Sequence, residues 1–251
     1  MTSLSKGSFE MNVENKLYKK TIIWNGDSIC SGSATEGNWA TRIAEKNEMI
    51  YKNYAHGGGT ITANMPLKSD GNRRHSVCET LDTMYREFPN ADYVVIEGGT
   101  NDADLLGLAV DGVPNGKLGG FDGLDFSGNY DESTFCGALE SVFYRATRYW
   151  MGKKIVFIVA QKMAAEPICY YENRRFYFEK AIEICKKWGI PYLDLWDGCY
   201  LNPYLPWMYD KEKSSEQNKL ENTCFYCDGQ HLTSRGYDLS ADIIDSWLKS
   251  V

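Results

Sequence analysis

Four short polar segments of this chain place groups capable of covalent chemistry beside glycines. They are Asn25-Gly26-Asp27-Ser28, Asn53-Tyr54-Ala55-His56-Gly57-Gly58-Gly59-Thr60, Gly98-Gly99-Thr100-Asn101-Asp102 and Asp228-Gly229-Gln230-His231. Acyl transfer from an ester needs a hydroxyl nucleophile, a base for its proton, a group that orients the base, and donors for the developing oxyanion. Ser28, on a tight turn, is a candidate nucleophile. The chain has 3 histidines, so candidates for a neutral-pH base are few. His231 is the candidate base, and Asp228, three residues earlier, reaches its other ring nitrogen if the segment makes one turn. The Gly58 N–H and the Asn101 amide would join the Ser28 N–H in an oxyanion hole. Asp27 and His56 are candidate substrate contacts, and His75 is expected to face solvent.

Each segment alone has a plainer reading. A lone Gly-Asp-Ser is most often just a turn, and Asn101-Asp102 can be an Asx turn or helix cap. The triple glycine can be a flexible loop; no Lys-Ser/Thr follows it, so it is not a P-loop. Gly26 to Cys30 does not read Gly-x-Ser-x-Gly, which excludes the nucleophile elbow of α/β-hydrolases. Asp228 can serve as a cap, and His231 can be a surface histidine.

The elements that must position these segments follow from hydrophobic periodicity. Apolar runs at 21–24, 49–54, 93–96, 155–160 and 192–195 read as five short strands. Between them, 38–46, the Val77-Leu81-Met84-Tyr85-Phe88 series, 135–150 and the Phe178-Ile182-Cys185 series read as helices, with a last one through Tyr237, Ala241, Ile244 and Leu248. This alternation predicts a parallel sheet with helices on both faces. In such sheets sites form at the carboxyl ends of strands, where three of the four polar segments fall. Residues 103–130 carry a glycine-rich insert, expected to be a surface loop that lines the substrate site and offers Phe121 as a contact. The stretch 201–222 reads as irregular. One domain over 21–251, preceded by an extension over 1–20, is expected.

The balance of 27 Lys+Arg against 34 Asp+Glu gives a net charge of −7. That argues against nucleic acid as a partner. No apolar run is long enough to span a membrane, and the polar first 20 residues lack a secretory signal, which points to the cytoplasm. The 8 cysteines are scattered, as reduced buried thiols are. Cys224 and Cys227 form the sole CxxC, without a second ligand pair for zinc, so no metal or other cofactor is expected. A site of Cys224, Cys227 and His231 remains an alternative, and would withhold the histidine from service as a base.

Taken together and in order, the four segments resemble the blocks of the SGNH hydrolase superfamily, the GDSL-like lipases and esterases. Gly26-Asp27-Ser28-Ile29 is similar to the first block, with Ile for Leu. Asn53 with Gly58 and Thr60 is similar to the second, where the triple glycine leaves Gly57 and Gly59 as alternatives to Gly58. Gly99-Thr100-Asn101-Asp102 is similar to the third and Asp228-Gly229-Gln230-His231 to the fourth. The resemblance implies a three-layer α/β/α sandwich with a five-stranded parallel sheet in flavodoxin-like order 2-1-3-4-5. It implies Ser28 as nucleophile, His231 as base and acid, Asp228 as orienting carboxylate, and Ser28, Gly58 and Asn101 as oxyanion donors. Aromatic and acidic residues in the insert, with no long apolar stretch, suit short acyl groups such as acetyl on a carbohydrate. The alternative is a non-catalytic carbohydrate-binding or interaction module on the same fold.

Overall fold

The computed structural model describes residues 15–32, 37–63, 65, 67, 71–106, 118–164 and 168–251. Strands β1 (Thr21–Asn25), β2 (Ile50–Asn53), β3 (Tyr93–Glu97), β4 (Lys154–Val159) and β5 (Tyr192–Asp194) form one parallel sheet in the order 2-1-3-4-5. In register, Ile22 lies beside Tyr51 on one side and Tyr93 on the other, and Val95 lies beside Val156. β1, β3 and β4 bury almost every residue, as continuously apolar strands covered on both faces must. Edge strand β2 is instead mostly exposed.

The chain leaves β1 toward β2 and later crosses back past β1 to β3, β4 and β5. Right-handed crossovers then put helices on opposite faces. Helix α2 (Trp39–Lys46) packs on α9 (Ser234–Leu248); α3 (Val77–Glu87) packs on α5 (Phe135–Tyr149), and α5 on α6 (Ile168–Trp188). Trp24, Trp39, Phe143, Phe157 and Tyr237 are among the largest fully buried side chains. The Trp39 indole N–H, otherwise orphaned in that core, donates to Ser240 Oγ at 2.8 Å. The reversal between β1 and β3 opens a crevice at their carboxyl ends, bounded by the turns that carry Ser28 and Asn101.

Three expectations change. Helix α4 (Thr100–Leu106) occupies the start of the expected insert. Residues 107–117 of that insert lie outside the described residues, as do residues 1–14 of the expected extension. The rest of that extension belongs to the domain: Leu17 is fully buried, and the Lys19 N–H donates to Asn47 O at 3.1 Å. The stretch 201–222 contains helix α8 (Ser215–Glu221), started by a capping box between Ser214 and Gln217. A further turn, α7 (Leu195–Gly198), follows β5 directly.

Candidate active site

β1 stops where the Asn25 side-chain oxygen accepts the Gly26 N–H at 2.9 Å. Asp27 then caps a single turn, α1 (Ser28–Ser31), by accepting the Ile29 N–H at 2.8 Å; Gly32 closes it at φ +67°. A first-turn N–H has no partner within its own helix, and none for the Ser28 N–H is seen among the described residues, so it stands as a donor beside the Ser28 hydroxyl. Ser28 is 7% exposed, enough for the hydroxyl to meet a ligand.

His231 comes to Ser28 on a tight loop. Tyr226 bridges Leu232 in antiparallel fashion, and the Cys227 N–H donates to His231 O at 2.8 Å. Gly229 turns the loop at φ +79°, where a Cβ would lie 3.0 Å from both Ala164 and Tyr209. Asp228 Oδ1 accepts the backbone N–H groups of Gln230 (3.0 Å) and His231 (2.7 Å). Asp228 Oδ2 lies 2.8 Å from His231 Nδ1, and His231 Nε2 lies 2.9 Å from Ser28 Oγ. A hydroxyl, an imidazole and a carboxylate thus form one chain of hydrogen bonds. Partial burial raises the Asp228 carboxyl, but the hydrogen bond and charge of His231 and the two backbone donors outweigh it and bring it to about 2. The carboxylate therefore stays ionised beside the ring, which favours the tautomer with its proton on Nδ1 and leaves Nε2 to accept from Ser28.

The second and third segments meet at the same crevice. Asn53 donates to Cys30 O at 3.0 Å, and the His56 N–H donates to Gly26 O at 3.1 Å, which ties the glycine loop to the Ser28 turn. Gly58 sits at φ +73°, and no partner of its N–H is seen among the described residues. Gly59 has no room for a side chain: a Cβ would lie 2.8 Å from Gly26 O and 2.9 Å from His56 O. Asn101, near the start of α4, donates to Gly59 O at 2.8 Å and lies 3.4 Å from Asp27 Oδ2. Buried Asp102 accepts the N–H groups of Ile61 and Thr62, each at 2.9 Å, and so anchors the loop that follows Gly59.

Other candidate residues lie elsewhere. Asp27, expected to touch substrate, is fully buried; as the cap of α1 its carboxyl turns inward. His56 is exposed at the rim, its ring 5.2 Å from that of His75. His75, expected in solvent, is half-buried, with Nε2 2.7 Å from Asn25 Oδ1. Phe121 packs over the Lys187 ammonium at 5.9 Å, and Phe126, Tyr130 and Trp188 surround the same cation. Lys187 lies nine residues, about 13 Å along α6, beyond Phe178, whose ring faces Gly99. That placement sets the Phe121 ring against the Lys187 end of α6. Cys224 and Cys227 are free thiols, and Cys227 Sγ lies 3.2 Å from Leu232 O. No group of three metal-ligating side chains occurs among the described residues. Both ring nitrogens of His231 already face Ser28 and Asp228.

Two features escaped the sequence reading. Glu97 closes the apolar strand Tyr-Val-Val-Ile-Glu, a polar terminus that could have drawn notice, and its Oε2 accepts the Asp27 N–H at 3.1 Å. Arg174, 5% exposed, grips Asp104 at 2.9 and 2.7 Å and reaches Gln230 Oε1 at 3.1 Å, joining α6, α4 and the His231 loop. No local pattern marks that second contact set.

A 2-1-3-4-5 parallel sheet with helices on both faces and a serine, a histidine and an aspartate linked at its strand ends has the architecture of an SGNH α/β hydrolase. The chain belongs to the GDSL-like lipase/acylhydrolase family, whose profile matches residues 25–239, and it is therefore an ester-bond hydrolase. Among solved structures, a protein from Lactobacillus plantarum shares 20% identity over 93% of this chain and 98% of its own, with a TM-score of 0.64. A carbohydrate acetylesterase family member from Sinorhizobium meliloti shares 12% identity over 92% of this chain and 98% of its own, with a TM-score of 0.56. An active-site mutant of a family two carbohydrate esterase from Clostridium thermocellum shares 15% over 94% of this chain and 64% of its own, with a TM-score of 0.57. At these identities the likeness is one of fold. No curated protein matches the chain.

Proposed function

We propose that the protein is a serine esterase that works through an acyl-enzyme and removes short acyl groups, such as acetyl, from a carbohydrate. The observation that carries the reading is the unbroken relay Ser28 Oγ–His231 Nε2 (2.9 Å), His231 Nδ1–Asp228 Oδ2 (2.8 Å). His231 Nε2 takes the Ser28 proton as Oγ bonds to the ester carbon. The negative charge that moves to the carbonyl oxygen is held by the N–H groups of Ser28 and Gly58 and the Asn101 amide. When the oxyanion collapses, the ester C–O bond breaks and His231 returns the proton to the departing alcohol. Water, deprotonated by the same nitrogen, then attacks the acyl-enzyme, and Ser28 leaves with the proton. Asp228 keeps the ring oriented throughout and stabilises its protonated form.

The substrate class has two supports. A groove of about 550 Å³ reaches Asp228 and is lined by Pro203, Tyr204, Pro206, Tyr209 and Lys211. Flat rings beside a few polar groups suit a sugar. Two of the structural neighbours bear carbohydrate-esterase names. Ser28→Ala is expected to abolish hydrolysis of p-nitrophenyl acetate and labelling by a fluorophosphonate, with the circular dichroism spectrum unchanged. Full activity in that variant would end the assignment of Ser28. A clear preference for p-nitrophenyl palmitate over the acetate would end the short-acyl reading.

A further inference from the structure

Glu97 stands wholly buried at the carboxyl end of β3, against the turn that carries Ser28. Its Oε2 accepts the Asp27 N–H at 3.1 Å, and the Cys30 N–H faces the same carboxyl. One side chain therefore holds the backbone on both sides of Ser28. Gly26 makes room for it: a Cβ there would lie 2.5 Å from Glu97 Oε2. The backbone of Gly26 is not left-handed, so close approach is what requires this glycine.

The Asp27 and Glu97 carboxyls are themselves within hydrogen-bonding reach of each other. Both are buried, and neither forms an ion pair with a Lys or Arg among the described residues. Two buried carboxylates so placed disfavour double ionisation, and a proton shared within the pair relieves it. Asp27 is the better anion. It receives the Ile29 N–H at 2.8 Å and the Asn101 amide at 3.4 Å. Glu97 Oε1 has no donor among the described residues. An oxygen without a donor is the natural seat of a proton given to a neighbouring carboxylate. Burial and the adjacent Asp27 charge raise Glu97 well above the usual carboxylate range, while burial raises Asp27 only to about 6 against the opposing Ile29 N–H and His231 charge.

We propose that Glu97 is a positioning residue for this hydrolase, acting as a neutral carboxylic acid that gives its proton to Asp27 and accepts the Asp27 and Cys30 N–H groups on either side of Ser28. The role rests on Ser28 and Asn101 serving as proposed above. A second charge on the pair would lie behind the Asn101 amide. It would draw that amide inward, away from the oxyanion it is to receive. With the proton in place, the weak 3.4 Å contact of Asn101 with Asp27 is the one released when the oxyanion forms.

Glu97→Gln keeps a donor and an acceptor in the same place without a charge. Its kcat on p-nitrophenyl acetate is expected within about threefold of wild type, whereas losing hydrogen bonds to a charged partner in Glu97→Leu should lower kcat by about 10–100-fold with KM little changed. Rescue by Gln and a loss confined to kcat are not what a merely structural residue would give. Wild-type kcat in Glu97→Leu would overturn the proposal. So would a folded Glu97→Gln impaired more than about tenfold, which would mean that the ionised form is needed. The Gln variant decides alone if the Leu variant does not fold. Fluorophosphonate labelling of the wild type separates the two readings. An unlabelled, inactive wild type ends both; a labelled wild type beside an inactive, folded Gln variant ends only the role of Glu97.

Discussion

Asn101→Ala gives the sharpest test of the oxyanion site. In the resting enzyme the Asn101 amide spends one proton on Gly59 O at 2.8 Å and rests the other 3.4 Å from Asp27 Oδ2. The first contact fixes the glycine loop, whose Gly58 N–H is a second proposed donor. The second contact is long enough to be yielded to a developing oxyanion. Deleting the amide thus removes one donor and loosens another. A single lost donor costs about 10²–10³ in kcat, roughly 2.7–4 kcal/mol, and loosening Gly58 puts the expectation at the upper end, near 10³. KM should change little, because the amide contacts protein in the ground state and charge only in the transition state. Initial rates on p-nitrophenyl acetate across a range of concentrations separate the two parameters, and a thermal melt confirms folding. A folded Asn101→Ala enzyme with kcat within about threefold of wild type would refute Asn101 as a donor.

Gly26→Ala is expected to lose activity and to melt lower, because the added methyl lies 2.5 Å from Glu97 Oε2 and 2.9 Å from Cys30 Cβ; overpacking of this kind costs about 1–3 kcal/mol, read by denaturant titration, and an unaltered midpoint would count against the packing described. Asp228→Asn tests the linkage of the relay to stability. The folded carboxyl lies at about 2 against an ordinary 3.8, so its contribution is full above pH 3.8 and is lost as pH falls toward 2. After allowance for the side chain's 38% exposure, that contribution is about 1 kcal/mol at neutral pH. The wild type should therefore exceed the variant in stability at pH 7 and match it at pH 2; a gap that persists at pH 2 would contradict the sign.

Much of this molecule can be read from local patterns. Ile155 to Ala160 is continuously apolar because its strand is covered on both faces, and β4 is buried from Ile155 onward. The Val77, Leu81 and Met84 face of α3 is buried as its period requires. Where reading failed, competing signals were weak or distant. α8 was hidden by the charged run around it, although the Ser214–Gln217 capping box was present in the sequence. Glycine content suggested a loop from residue 103, yet Asp102 and Asp104, tied to the 61–62 backbone and to Arg174, belong to helix α4. Composition offered Phe121 as a substrate contact and gave no sign of the buried Lys187 ammonium that its ring faces.

The amino-acid order by itself determined the strand–helix alternation, the polar turns at strand ends and the residue types able to transfer an acyl group, since each depends on neighbours a few positions apart. Tertiary structure alone decided that Ser28 meets His231 across 203 positions, that Asp27 faces inward, and that Glu97 shares its burial. Those outcomes depend on which buried groups lie beside one another. Hydrogen-bond reach and the loss of water, which govern such contacts, are properties of the folded interior and leave no periodic mark along the chain.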